Sequence, residues 1–108
     1  MKGFNLRNVG DVKIATINGN LDTSAEVDVL LHEVLRPNLR LLIDMGSVRK
    51  VSPVALRQLE FKKKEAETQG VEIRILHVNG IRDTQTLTQL ALLFPTHWDE
   101  AAAVRSFS

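Results

Sequence analysis

The sequence predicts a single α/β domain in which helices pack against a mixed sheet that contains parallel strand pairs. The chain has 108 residues, the length of one typical domain. Of these residues 44% are apolar and 25% are charged, an ordinary globular composition. Strand-like and helix-like patterns alternate in the order β-α-β-α-β-α-(β)-α. We therefore expect one domain over residues 1–108, with four to five strands and about four helices.

The first half of the chain alternates between strand and helix patterns. In residues 12–17 the larger Val, Ile and Thr alternate with Lys and Ala, and an Ile follows, which predicts a strand with one buried face. Asp22, Thr23 or Ser24 could cap the next helix, because each offers a side-chain oxygen to free backbone N–H groups. That helix carries one apolar stripe, made of Val27, Leu30, Leu31, Val34 and Leu35. Residues 39–45 form a nearly continuous apolar run, which indicates a central strand covered on both faces.

The second half repeats the alternation. A helical pattern over residues 53–69 predicts that Val54, Leu56, Leu59 and Ala66 face inward, with Gly70 ending the helix in a left-handed conformation. Residues 71–78 are predicted to form a strand. The turn residues Asn79-Gly80 lead into a helix, whose predicted inward side chains are Ile81, Leu87, Leu90 and Ala91. Residues 96–98 suit a short edge strand, and Asp99 is placed to cap a last helix that runs to about residue 107.

Composition and motifs argue against most catalytic chemistry. The chain has no cysteine, which excludes thiolate catalysis and fits a reducing cytoplasm. A net charge of +1 provides no broad basic field for nucleic acid, and no apolar run reaches the ~20 residues of a membrane span. No glycine-rich phosphate loop is present, and His32, His77 and His97 form no ligand pair. We predict that the chain is not an enzyme and that it carries no metal and no cofactor.

The basic run Lys62-Lys63-Lys64 is predicted to be a solvated helix face. Nearby glutamates at positions 60, 65 and 67 can neutralise it through i,i+3 and i,i+4 pairs. A contact patch for an acidic partner is the alternative.

The most informative junction is residues 48–56, where a loop becomes a helix. Ser52 is a good N-cap, and Pro53 suits the first helical position because its missing N–H has no intrahelical partner to lose. The helix start favours negative charge.

At this junction the chain resembles a STAS domain, the family of anti-sigma-factor antagonists and related modules. The resemblance covers roughly residues 10–104, and its pieces occur in the order and spacing of the family. They are Gly19-Asn20-Leu21-Asp22, the strand 41–45, the signature segment 48–59, Gly70-Val71-Glu72-Ile73, residues 81–94 and Trp98-Asp99-Glu100-Ala101-Ala102. The resemblance implies a STAS-like sheet in a single domain.

In that family the signature segment usually reads Ile-Asp-Ser-Ser-Gly-Leu, and a partner kinase phosphorylates its first Ser. Laid on this chain, Ser52 takes the Asp position and Pro53 the phospho-acceptor position. Because Pro53 has no hydroxyl, phosphorylation at the usual position is excluded. Ser52 is disfavoured as a substitute, because a kinase positions its substrate hydroxyl closely. The resemblance therefore implies a partner-switching protein whose own switch position is degenerate.

The resemblance also implies a docking surface that combines the loop before the first helix with the start of the second. Its residues are Asp22, Thr23, Ser24, Lys50, Ser52, Pro53, Val54 and Arg57. The expected partner is an anti-sigma factor, a serine kinase or a related switch protein in the cytoplasm, and a weak homodimer stays open. The alternative is a STAS subunit or scaffold of a larger assembly, such as a lipid-transport or stress-signalling complex. A third hypothesis is small-ligand or nucleotide binding at the Ser52 helix start.

Overall fold

One five-stranded sheet and four helices make up the computed structural model, which describes residues 1–107 and, at Glu33, the backbone alone. The predicted α/β class is confirmed. In chain order the elements are β1 Gly3–Val9, β2 Val12–Asn18, α1 Ser24–Val34, β3 Arg40–Asp44, α2 Pro53–Glu67, β4 Glu72–Leu76, α3 Thr84–Leu93, β5 Thr96–His97 and α4 Glu100–Arg105.

The strands lie in sequence order across the sheet. β1 pairs with β2 antiparallel, and the other neighbours pair parallel, so that α1, α2 and α3 each connect two adjacent parallel strands. β3 lies at the centre with Leu41, Leu42 and Ile43 fully buried, as the apolar run predicted. β5 has only two residues and forms an edge, also as predicted.

Each face of the sheet has its own core. Ala15, Ile17, Leu41, Ile43 and Ile75 pack in a large cluster with the apolar residues of α1, α2 and α3. On the other face the smaller cluster contains Val12, Ile14, Leu42 and Leu76 together with Ala103 and Phe107. The prediction that β2 has one buried face was wrong, because α4 and the residues after it cover the second face.

The strand β1 was not predicted. Four of its seven residues are exposed, and the alternation of Phe4 and Leu6 with Asn5 and Arg7 breaks at Asn8, so the pattern is short. It is positioned by pairing with β2 across a tight turn in which Gly10 has φ +59°, a conformation that favours glycine. Arg7 also forms an ion pair with Glu100 of α4. The local signals of β1 in the sequence are this short alternation and the turn at Gly10-Asp11.

α1 begins with a capping box. Thr23, one of three predicted capping residues, is the N-cap: its Oγ1 accepts from the backbone N–H of Glu26 at 3.2 Å. The Glu26 carboxylate accepts in return from the N–H groups of Thr23 at 3.0 Å and Asp22 at 2.8 Å. The predicted stripe is buried from Val27 to Val34, and Leu35 is half-buried. The start and the inward face of α1 are therefore confirmed.

α2 begins at Pro53 with Ser52 as its N-cap, as predicted. Leu56, Leu59 and Ala66 are buried, whereas Val54 is 52% exposed and Ala55 is fully buried in its place. Successive helical residues point about 100° apart, so the buried face that contains Ala55 directs Val54 away from the sheet. The prediction that Val54 faces inward was wrong.

α3 differs from its prediction at its start and at Ala91, whereas it ends at Leu93 with Phe94 as its C-cap, as the Phe94-Pro95 pair predicts. Ile81 is buried, but in the connection before the helix, because Asp83 is the N-cap and α3 starts at Thr84. Within the helix Thr86 and Leu90 are buried and Ala91 is exposed, which corrects the expectation for Ala91. The small Ala91 side chain gives little apolar area to bury, so Leu90 determines which face packs on the sheet.

Replacing Leu59 by Ala should lower the free energy of unfolding by about 2–5 kcal/mol, because a fully buried leucine leaves a cavity. Val54→Ala should change it by less than about 0.5 kcal/mol, since the side chain is exposed. Urea unfolding followed by circular dichroism measures both. Equal losses in the two variants would contradict the burial assigned to α2.

Glu26 should make stability depend on pH on the acid side. Its hydrogen bond with the N-terminal ammonium, followed by those from the Asp22 and Thr23 N–H groups, lowers the pKa of its carboxyl in the folded state. A lowered folded pKa stabilises the fold at a pH above the ordinary glutamate value of about 4.3, and this contribution is lost as the pH falls through the folded pKa.

Glu26→Gln should therefore be less stable than the parent chain at neutral pH and lose less stability on acidification. Urea midpoints collected between neutral pH and about pH 3 would measure this difference in stability. That pH range covers the ordinary titration of carboxyl groups. Parallel pH profiles for the two proteins would show that Glu26 contributes no such stabilisation.

Candidate functional site

A short parallel bridge brings the starts of α1 and α2 together. Leu21 pairs with Val51, the Leu21 N–H donating to the Lys50 carbonyl at 3.1 Å and the Ser52 N–H donating to the Leu21 carbonyl at 2.8 Å. Both apolar side chains of the bridge are buried. The bridge thereby places the predicted residues 22–24 beside the predicted residues 50–57, which lie about 30 positions later in the chain.

Asn20 holds the loop that leads to α2. Its side-chain Oδ1 accepts from the backbone N–H of Arg49 at 2.9 Å and from that of Lys50 at 3.1 Å. These hydrogen bonds fix the backbone from which two cationic side chains extend. Sequence reasoning placed Asn20 in a turn and in the family resemblance but not in the site, because both of its partners lie on the other loop.

The Ser52 hydroxyl makes two hydrogen bonds. It donates to the Asp22 carbonyl at 2.7 Å and accepts from the Ala55 N–H at 3.1 Å. The first bond ties the two loops together, and the second caps α2. The side chain therefore stabilises the junction instead of offering a free hydroxyl at the surface.

The predicted docking residues are mostly exposed around this junction. Pro53, Val54 and Arg57 are exposed on the first turns of α2, and Lys50 is exposed just before them. On the α1 side Asp22 and Thr23 are exposed, while Ser24 and Ser52 are half-buried. The surface mixes exposed apolar carbon with both signs of charge, which is the composition of a reversible protein interface.

Positive charge at this site has no acidic partner among the described side chains. Arg49, Lys50 and Arg57 make no ion pair with any carboxylate that the structure describes. The Arg49 guanidinium donates instead to the Gly46 carbonyl at 3.1 Å. These three cations are therefore available to an acidic group on another molecule.

The basic run on α2 behaves differently. Lys62 lies 3.5 Å from Glu65, Lys63 lies 2.8 Å from Glu67 and Lys64 lies 3.7 Å from Glu60. The predicted i,i+3 and i,i+4 pairing is confirmed. The run is therefore a largely neutralised helix face.

Two adjoining hollows, of about 420 and 440 Å³, run along the groove between α2 and α3. Both are lined by Pro53, Leu56 and Gln89. Arg57 and Leu92 belong to one, and Arg49 and Lys50 to the other. The predicted surface did not include α3. The exposed Leu92, on an otherwise amphipathic helix, is the signal that could have added it.

The histidines are scattered, as their positions in the sequence suggested. His32 is exposed on α1, and His77 Nδ1 lies 3.3 Å from Asp44 at the ends of β4 and β3. The described residues hold no group of three or more His, Asp or Glu side chains placed to bind a metal ion. None of the helices seen between residues 1 and 107 has the length and apolar character needed to cross a bilayer.

No protein-family model and no curated protein matches this chain. Solved structures do match. A candidate anti-sigma factor antagonist from Thermotoga maritima superposes with a TM-score of 0.75 at 14% identity, over 95% of this chain and 92% of that one. An anti-sigma factor antagonist from Mycobacterium paratuberculosis gives 0.65 at 17% identity, over 95% and 91%.

The anti-sigma factor antagonist SpoIIAA in its unphosphorylated form is also similar. Its TM-score is 0.63 at 11% identity, and the match covers 97% of each chain. All three likenesses extend over nearly the whole length of both molecules, while the sequences have diverged widely. This chain therefore has the STAS fold of the anti-sigma factor antagonists.

Proposed function

We propose that the chain is a non-enzymatic, protein-binding regulator of the anti-sigma-factor-antagonist type. The observation that supports this most is the junction of the two helix starts, which presents Asp22, Lys50, Val54 and Arg57 on one exposed surface. The similar structures are described as anti-sigma factor antagonists, which favours this class of function. In the proposed role the chain acts through contact with another protein.

The proposed partner is an anti-sigma factor, a serine kinase or a related switch protein. Three unpaired cations beside exposed Pro53 and Val54 suit a partner surface that is acidic and partly apolar. A cytoplasmic location fits the absence of cysteine and stays a prediction.

Regulation by phosphorylation is not proposed for this chain. The structure of SpoIIAA is described as that of its unphosphorylated form, a description that implies that SpoIIAA also has a phosphorylated form. Here Pro53, at the first position of α2, has no hydroxyl, and the Ser52 hydroxyl is bonded to the Asp22 carbonyl and the Ala55 N–H. A phosphate on Ser52 would remove the donated proton and bring negative charge towards a carbonyl oxygen. The partner's own state, or competition between partners, would therefore control the complex.

The second candidate is a STAS subunit or scaffold of a larger assembly. Exposed apolar side chains on elements outside the proposed surface favour it, because additional contacts would cover them. Trp98 is 67% exposed after the edge strand β5, and Val29 is exposed on α1. In such an assembly the lost phospho-acceptor would have no consequence.

Reversing the charge of Arg57 should weaken partner binding. We expect the tagged Arg57→Glu chain to recover at least about tenfold less partner from the native host, a loss of about 1.4 kcal/mol in binding. Arg57 is exposed and makes no ion pair, so thermal unfolding should change little. Arg36→Glu, at the far end of α1, is the matched control and should retain the partner. Full recovery with Arg57→Glu would show that the surface is assigned wrongly.

Incubating the chain with its co-purified partner and radiolabelled ATP should leave it unlabelled. Ser52→Ala tests for any residual acceptor, and Pro53→Ser supplies a hydroxyl at the position where the family carries one. Label on Pro53→Ser alone would identify the partner as a serine kinase. Label on the parent chain that disappears in Ser52→Ala would contradict the role given to the Ser52 hydroxyl.

A further inference from the structure

We propose that the groove between α2 and α3 receives an acidic amphipathic helix of the protein partner. This inference rests on the proposed function and extends the docking surface to α3, which the sequence did not indicate. It is carried by three properties of the groove: its apolar floor, its uncompensated positive charge and the kind of backbone that forms its walls.

The floor of the groove is apolar. Leu56 and Ile81 contribute nearly buried side chains, and Pro53 and Leu93 add further carbon. Leu92 stands on the α3 rim and is 80% exposed, the highest exposure among the large apolar side chains in the described chain. Both hollows lie within the ~300–1,000 Å³ of typical binding pockets, so apolar side chains of a partner have room to enter.

The charge of the groove is positive. Of its two acidic lining residues, Glu60 is paired with Lys64 at 3.7 Å. The Asp83 carboxylate caps α3, accepting from the Gln85 N–H at 3.2 Å and from the Thr86 hydroxyl at 2.7 Å, and the partial positive charge of that helix start offsets it. Arg49, Lys50 and Arg57 have no such compensation, so the complementary partner surface is acidic.

The Arg49 side chain is held in one position by contacts with its own loop and with Gly80. Its guanidinium donates to the Gly46 carbonyl and lies against Gly80, where a Cβ would collide with it and come within 2.8 Å of the Val48 carbonyl oxygen. Glycine at position 80 therefore leaves space for the arginine side chain along the loop. A cation fixed in this way loses less side-chain entropy on binding than a free one.

The walls of the groove indicate a helical occupant. α2 and α3 satisfy their backbone groups internally, so an extended segment would find no strand edge to pair with there. Recognition must use side chains, and an amphipathic helix presents them along one face at i, i+3, i+4 and i+7. Acidic residues flanking that apolar face would then meet Arg49 and Lys50 in one hollow and Arg57 in the adjoining one.

A synthetic helical peptide of about four turns, with leucine at a and d positions and glutamate elsewhere, is the probe. Titrated into the ¹⁵N-labelled chain, it should shift the backbone signals of Leu56, Gln89 and Leu92. A peptide with lysine in place of glutamate should not bind, and added salt should weaken the complex of the acidic one. No binding, equal binding of both peptides, or shifts confined to α1 would overturn the inference.

Leu92→Glu tests the same groove with the native partner. It should reduce both peptide affinity and partner recovery at least about tenfold, because it places a carboxylate on the apolar rim. Leu6→Glu, the same change of residue at an exposed site on the edge strand β1, should alter neither. If Arg57→Glu loses the partner while Leu92→Glu keeps it, the groove is wrong and the proposed function stands. If no partner is recovered by the parent chain, the proposed function itself fails.

Discussion

The pairing of Leu21 with Val51 is the contact on which the proposed site depends. Two backbone hydrogen bonds, the Asn20 carboxamide and the Ser52 hydroxyl all cross the same junction between the loops before α1 and α2. Together these bonds hold the two loops against each other beside the buried Leu21 and Val51 side chains. Because the bridge side chains are buried, the loops are extensions of the sheet's large core, and the charges they carry are presented on a rigid support.

The parts of the fold that were predicted correctly are those whose signal is local. The stripe on α1 and the apolar run of β3 follow from side-chain periodicity, and Ser52 and Pro53 follow from the chemistry of helix starts. β1 was missed because an exposed edge strand has little apolar periodicity, and β2 was assigned one buried face because nothing near it shows that α4 returns across the sheet. Both errors concern strands whose environment depends on contacts with other elements of the fold.

The residues of the candidate site also fall into those that the sequence predicts and those that it does not. Its exposed residues were named from a family pattern that lies in two short segments, and the bridge brings those segments together. The role of Asn20 was not found, because its side chain bonds to backbone N–H groups that lie 29 and 30 residues later in the chain. The α2–α3 groove was not found, because it is formed by the packing of two helices. Val54 was named for docking and also predicted to face inward. Only its docking role is compatible with its exposure.

In the proposed role, the chain would have little freedom to switch through covalent modification at this junction. The Ser52 hydroxyl stabilises the same two loops that present Lys50 and Arg57, so a modification there would alter the fold and the surface together. Control by binding avoids this coupling, since exposed cations strengthen association with an acidic partner at little cost to folding. In the proposed role, release would then require a change in the partner or a competitor with more favourable binding free energy. A fixed proline at the first position of α2 is compatible with that mode of regulation and excludes the covalent one at that position.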